Sequence, residues 1–243
     1  MKTSRSKSED WNGIPSAERR VRILGLDPGF SSIGWAIIHA GKENEIIECT
    51  DVGVIRTKPD NGNKNDSNVR RIMDIAKALN NLVTTHKVHV VGCEAMSWTR
   101  FSNADRAVAF FWGALGAVLA NKTAITSLEQ VTPVQVKELL TGNKKASKED
   151  VHDAACKKMQ GLRHQLGKIG AKTQRNHASD AAAVAYCTLT STASGKIAAS
   201  MRDHRAHFDF EHQGPTPGLR AWEGRVSLST TTTHSLRLQH AYS

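Results

Sequence analysis

Apolar positions fall into two patterns along this chain. Short, nearly continuous runs over Val21–Asp27, Ile33–His39 and Ile46–Thr57 read as strands. Pro28-Gly29 stops the first, and tight turns join all three, which predicts an antiparallel meander. Beyond a turn-rich loop over 60–68, Val69, Ile72, Met73, Ile75, Ala76, Leu79, Leu82 and Val83 repeat with helical period and predict a helix over Asn68–His86. Val88–Glu94 predicts a fourth strand, Asn103–Asn121 a helix and Ala124–Val131 a fifth strand. Pro133 opens a short helix to Leu140. Ser147-Lys-Glu-Asp150 resembles a capping box for a helix ending near Met159, and His177–Thr190 reads as an Ala-rich last helix. Three strands followed by alternating helices and strands predict an α/β fold: a mixed five-stranded sheet flanked by helices.

The periodic region spans about 21–190. Residues 1–20 are polar and rich in Ser, Lys and Arg, and are expected to form a disordered basic arm. Residues 191–243, with Thr230–Thr233 and scattered His, keep no period and are expected to form a low-complexity, disordered tail. One folded domain therefore carries the chemistry.

Composition narrows the class. No apolar run approaches the ~18 residues of a membrane span, so no membrane partner is expected. Met1–Pro15 lacks the apolar core of a secretory signal, which points to a cytoplasmic protein. Cys49, Cys93, Cys156 and Cys187 show no CxxC spacing, which excludes zinc ribbons and thioredoxin-like motifs; all four are expected reduced and mostly buried. The net charge is +10, the electrostatic signature of a nucleic-acid partner. Between Asp153 and Asp180 no acidic residue occurs, while Lys157, Lys158, Arg163, Lys168, Lys172 and Arg175 do. Taken alone, that stretch could be a solvated basic loop.

Asp27 and Glu94 each close an apolar strand, where ligands of α/β sheets bind. Each alone could be a strand-end cap. Together, on neighbouring strands, they repel unless a cation or a proton intervenes. His177 and Asp180 lie three apart and share a helix face, and the small Ala178 and Ala181–Ala183 let that helix approach a sheet closely. Three carboxylates and one imidazole suit Mg²⁺ or Mn²⁺. Inside a basic protein they fit a site with two metal ions acting on a phosphodiester.

These residues resemble the RuvC family of Holliday junction resolvases, within the RNase H-like fold. The resemblance rests on Ile23–Ile38 with Asp27, on Glu94 with Asn103-Ala-Asp105 opening the next helix, on Thr132–Lys137 through Thr141-Gly142 to Lys148, and on His177-x-x-Asp180. Together these segments run in family order over about 22–190. The resemblance implies that Asp27, Glu94, His177 and Asp180 are catalytic metal ligands, with two Mg²⁺ or Mn²⁺ ions per active site. It places Lys137 and Lys148 near the scissile strand. The family carries an aromatic three residues after the glutamate; here that position is Ser97, with Trp98 and Phe101 nearby as candidate DNA contacts. Lys144, Lys145, Lys172 and Arg175 are further candidates for backbone contacts. The implied activity is symmetric nicking of four-way DNA junctions in a bacterial or phage-infected cell, at the nucleoid.

Other readings are an RNase H-like nuclease acting on flaps or forks, and a non-catalytic DNA-binding protein. An actin-like phosphotransferase needs a second phosphate loop that the chain does not contain. After Arg106 the helix over Asn103–Asn121 is apolar all round, so its second face needs a cover; a homodimer about a two-fold axis supplies one.

Overall fold

The computed structural model describes residues 20–40, 46–95, 103–122, 125 and 127–191, and the side chains of helix 103–119 only from Val108 onward. The arm over 1–19 and the segment 192–243 lie outside the described residues. Five strands, β1 (Val21–Asp27), β2 (Ser32–Ala40), β3 (Glu48–Arg56), β4 (Val90–Glu94) and β5 (Ser127–Val131), form one sheet in the order β3-β2-β1-β4-β5. The pairs β1–β2 and β2–β3 are antiparallel; β1–β4 and β4–β5 are parallel. The expected meander and mixed sheet are both present.

Among the described residues six helices accompany the sheet: α1 (Lys64–Thr85), α2 (Asn103–Leu119), α3 (Pro133–Thr141), α4 (Lys148–Lys158), α5 (Leu162–Gly167) and α6 (Lys172–Ser191). Local chemistry sets their ends. Asn63 caps α1 through Oδ1, which accepts the amide of Asn65 at 2.8 Å. Thr132 with Gln135 and Ser147 with Asp150 form full capping boxes for α3 and α4. Gly142 closes α3 at φ 73°, a conformation that costs a residue with a Cβ.

Several boundaries differ from the sequence expectation. Helix α1 starts at Lys64, one turn early, because Asn63 provides the cap. Its Val69 and Met73 point to solvent, 55% and 52% exposed, and the buried face is Ile75, Leu79, Leu82 and Val83. Helix α6 starts at Lys172 rather than His177; its first turn, Lys-Thr-Gln-Arg-Asn, has no apolar residue to reveal it. Helix α5 has no counterpart in the sequence expectation, since six residues with only Leu162 and Leu166 buried give almost no period.

The two sheet faces are packed differently. On one, α1 and α2 cover Leu24, Leu26, Ile33, Ile37, Val91 and Cys93 with Ile75, Leu79, Phe111 and Leu115. On the other, α6 crosses β2, β1 and β4, with α3, α4 and α5 around it. In α6, Ala178, Ala181, Ala182, Ala183 and Ala185 are all buried. Beneath them the paired Gly25 and Gly92 have no room for a side chain. A Cβ on Gly25 would strike the Ala181 carbonyl oxygen, and one on Gly92 the Thr188 hydroxyl. Glycine and alanine thus bring helix backbone onto sheet backbone over the middle of β1 and β4.

Helix α2 has one buried face: Phe111, Ala114, Leu115 and Val118 are between 0% and 8% exposed. Gly113, Gly116 and Ala117, on its other face, are exposed. Of the four cysteines, Cys49, Cys93 and Cys187 are buried and Cys156 half-buried.

Candidate active site

Side chains alternate along a strand, so Asp27 shares a sheet face with Gly25, and Glu94 with Gly92. That is the α6 face. The two carboxylates stand one step beyond the last paired rung of β1 and β4, Leu26 with Cys93. Helix α6 lies against this edge because its register is fixed by backbone contact. A Cβ on Gly34, which pairs with Asp27, would strike the carbonyl oxygen of His177. His177 therefore sits directly over the end of β1, and its Nδ1–H donates to Asp27 Oδ2 at 2.6 Å. One turn on, Asp180 Oδ2 accepts from Lys148 Nζ at 3.0 Å.

The charge balance is strained. Burial pushes the Asp27 carboxyl upward; the His177 hydrogen bond opposes this, while Asp180 adds to the rise. Glu94 is pushed up to about 7, first by burial and then by Asp27 and Asp180, with Lys148 opposing. The Lys148 ammonium is held above its usual range by the hydrogen bond and charge of Asp180. Lys148 stands at the first position of α4, where a cation opposes the helix dipole, so the carboxylate across the groove is what holds it there.

The four residues expected at the site thus gather at one sheet edge and couple electrostatically. Two of the carboxylates are engaged, Asp27 by His177 and Asp180 by Lys148. Among the described residues no three His, Cys, Asp or Glu side chains form a ready-made metal cage. The donor chemistry nonetheless fits a hard divalent cation: carboxylate oxygens with one imidazole, and negative charge that outweighs the cationic side chains facing it. A cation there would take the donor atoms that His177 and Lys148 now engage.

A groove of about 500 Å³ runs from Asp180 between α4, α5 and α6. Lys148, Arg163, Lys172 and Arg175 line it, with Asn176 beside them. Of the acid-free stretch, Arg163, Lys172 and Arg175 thus help form the wall of a groove that opens at the site, with Glu149 also lining it, while Lys157, Lys158 and Lys168 lie outside it. Lys137, Lys144 and Lys145 do not line it; Lys144 pairs with Glu138 at 3.5 Å. Trp98 and Phe101 lie outside the described residues.

Sequence reading missed the pairing of Lys148 with Asp180 and the bridge between His152 Nδ1 and Ser179 Oγ, 2.8 Å long. A signal existed: Lys148, His152 and Cys156 recur every four residues and so mark one face of α4, the face turned to α6.

The family model for the crossover junction endodeoxyribonuclease RuvC matches residues 23–188. A crossover junction endodeoxyribonuclease RuvC of Natranaerobius thermophilus is 31% identical over 167 residues, covering 68% of this chain and 92% of its own. Its counterpart from Helicobacter pylori, strain P12, is 33% identical over 132 residues, covering 54% of this chain and 77% of its own. Among solved structures, T. thermophilus RuvC in complex with a Holliday junction substrate superposes with a TM-score of 0.57 at 22% identity, covering 72% of this chain and 97% of that one. The yeast mitochondrial Holliday junction resolvase superposes with a TM-score of 0.54 at 14% identity, covering 77% and 82%. At those identities the structures establish the fold, the RNase H-like sheet with its crossing helix. The matched span begins in β1 and ends in α6, so it contains Asp27, Glu94, His177 and Asp180, and on that match the chain belongs to the RuvC family of crossover junction endodeoxyribonucleases.

Proposed function

We propose that the chain nicks four-way DNA junctions, hydrolysing one phosphodiester in each of two symmetry-related strands. The observation that carries this is the convergence of Asp27, Glu94, His177 and Asp180 at the open end of β1 and β4, beside a cationic groove. Those four residues would hold two Mg²⁺ or Mn²⁺ ions, which supply an activated water and neutralise charge at the scissile phosphate. The protein's own contribution is placement. Asp27 and Glu94 are fixed by paired strands, and His177 and Asp180 by backbone contact between α6 and the sheet. The His177 bond to Asp27 holds the imidazole at the end of β1, from which it would turn to a cation. Imidazole in a fourth carboxylate's place lowers the charge of the site and favours Mn²⁺ over Mg²⁺.

Lys148 has two partners available. With the cation absent it neutralises Asp180; with substrate present its side chain, 78% exposed, can turn its ammonium to a phosphate of the scissile strand. Lys172, Arg175 and Arg163 hold the adjoining backbone along the groove wall. Lys137, Lys144 and Lys145 contribute, in this reading, to duplex beyond the groove, and Trp98 or Phe101 to unpaired bases at the crossover.

The test is Asp27→Asn with a synthetic four-way junction. Cleavage should fall by at least ~10³-fold, the usual consequence of losing one member of a catalytic unit, while junction affinity holds or rises as repulsion of phosphate is relieved. Cleavage at the wild-type rate would refute the site. Equal cleavage of flaps, forks and four-way junctions would favour the other branched-DNA reading.

Two symmetric nicks call for two sites, and the exposed, side-chain-poor face of α2 at Gly113, Gly116 and Ala117 suits a two-fold helix pair. A charge at Ala114 or Leu115 would not probe this, because both face the chain's own core at 2% and 0% exposure. Ala117→Glu is the proper probe. It should yield monomers by sedimentation at micromolar concentration, with an unchanged fold and single-strand nicking in place of paired nicks. We place this work at the nucleoid of a bacterial or phage-infected cell. The curated relatives named above are bacterial, and among the described residues no helix is long and apolar enough to cross a membrane.

A further inference from the structure

Adjacent arginines on α1 have opposite fates. Arg70 is exposed and pairs with Asp60 at 2.6 Å. Arg71 is buried, 7% exposed, and no ion pair among the described residues includes it. A guanidinium taken from water without a counter-charge is costly, and an aliphatic side chain would fill the space at less cost.

What Arg71 touches explains its presence. Its Nε donates to Thr57 Oγ1 at 2.9 Å, and its Nη2 donates to the Phe30 carbonyl at 3.2 Å and to Ser31 Oγ at 2.8 Å. Its guanidinium carbon lies 3.8 Å from the centre of the Phe30 ring. Buried Thr57 joins the clamp: its hydroxyl donates to the Phe30 carbonyl and its amide to the Ser31 carbonyl. Apart from Thr57, which follows β3 and itself bonds to Phe30 and Ser31, every contact falls on one loop, Pro28 to Ser31. That loop leaves the sheet at Asp27 and enters β2 at Ser32, two residues before Gly34, which pairs with Asp27 and against which the His177 carbonyl rests. The loop therefore joins Asp27 to the strand that seats His177. Only a planar fork of donors can hold a carbonyl, two hydroxyls and a ring face together; an ammonium cannot.

We infer that Arg71 is a positioning residue for the catalytic centre: by clamping the Phe30–Ser31 loop it fixes the backbone that carries Asp27 and the seat of His177. It touches neither substrate nor metal, and it acts through that loop. The inference rests on Asp27 being a metal ligand, as proposed above, but the loop itself can be read separately.

Three readouts test it in the full chain with Arg71→Lys, Arg71→Met and Thr57→Val. The first is amide hydrogen exchange over Gly29–Ser32. The second is calorimetric titration with Mn²⁺ alone, and the third is junction binding without divalent cation, followed by fluorescence anisotropy. Arg71→Lys and Arg71→Met should both speed loop exchange at least ~10-fold and weaken Mn²⁺ binding ~10-fold, the usual cost of losing a partner behind a ligand. Thr57→Val, which keeps the charge, should shift both in the same direction by less. Junction binding should stay within about two-fold of wild type, because no DNA contact is lost. Wild-type loop protection and Mn²⁺ affinity in Arg71→Lys would overturn the inference, since charge alone would then suffice. So would variants that only melt earlier. If Arg71→Met does not fold, the lysine and valine variants still decide. Faster loop exchange in the arginine variants, together with Asp27→Asn binding Mn²⁺ like wild type, would instead indict the metal site and leave the clamp standing.

Discussion

The two faces of the sheet do the same job with opposite materials. Under α1 and α2, large side chains interlock: Ile75, Leu79, Phe111 and Leu115 against Leu24, Leu26 and Ile37. Under α6 there is almost no side chain at the crossing, only Ala181 and Ala185 on Gly25 and Thr188 on Gly92. Large residues bury more apolar area and tolerate repacking. Backbone-to-backbone contact buries less, yet it fixes distance without depending on rotamers. The face that holds the proposed site residues His177 and Asp180 near Asp27 and Glu94 is the one built for precision.

The sharpest way to break this contrast is to place a side chain where none fits. Gly25→Val should cost about 3 kcal/mol or more by overpacking, seen in urea unfolding, and should abolish cleavage even in the fraction that stays folded. Leu79→Ala on the other face should cost a similar 2–5 kcal/mol, roughly, by opening a cavity, yet leave the rate per folded molecule unchanged. A large loss of that rate in Leu79→Ala would erase the distinction between the faces.

A smaller effect concerns the charge held on the precise face. The Glu94 carboxyl titrates near 7 in the folded protein against an ordinary 4.5, so between those values the folded state binds more protons than the unfolded one. The Glu94 contribution to metal-free stability should therefore be full below pH 4.5 and decline as pH rises to about 7, with no further loss from this group above that. After allowance for solvent screening at a partly open site, the decline should be about 1–2 kcal/mol. Glu94→Gln should flatten it and make the protein more stable than wild type at pH 8, as read from thermal melts in chelator. A steeper decline in the variant would show that another group governs it.

The smallest effect belongs to the groove. Lys172→Ala with Arg175→Ala should reduce the slope of log affinity against log salt by about two units, one per lost phosphate contact, with no change in unfolding. The same pair of changes at Lys144 and Lys145, off the groove, should move the slope less. Equal slopes for the two double variants would make the cationic wall an ordinary charged surface.

Much of this was legible in one dimension. A strand needs only five to nine residues of apolar pattern, so all five could be read, and with them the two carboxylates at their ends. His177 and Asp180 were legible because three residues on a helix fix a shared face. Helix α5 and the first turn of α6 were not, since neither carries the apolar period on which such reading depends. Arg70 and Arg71 look alike in sequence; only the packing of α1 sends one to solvent and the other beneath the Phe30 loop.

By itself the sequence determined the order of the strands and of every helix but α5, the basic balance and the four candidate site residues, because each depends on neighbours within a few positions. Tertiary structure alone decided that Gly25 and Gly92 face α6, that Lys148 reaches Asp180 across thirty-two positions, and that burial drives the Glu94 carboxyl up to about 7. Those outcomes depend on desolvation and on distances between residues far apart in the chain. No local pattern encodes them, and they exist only once the helix has settled on the sheet.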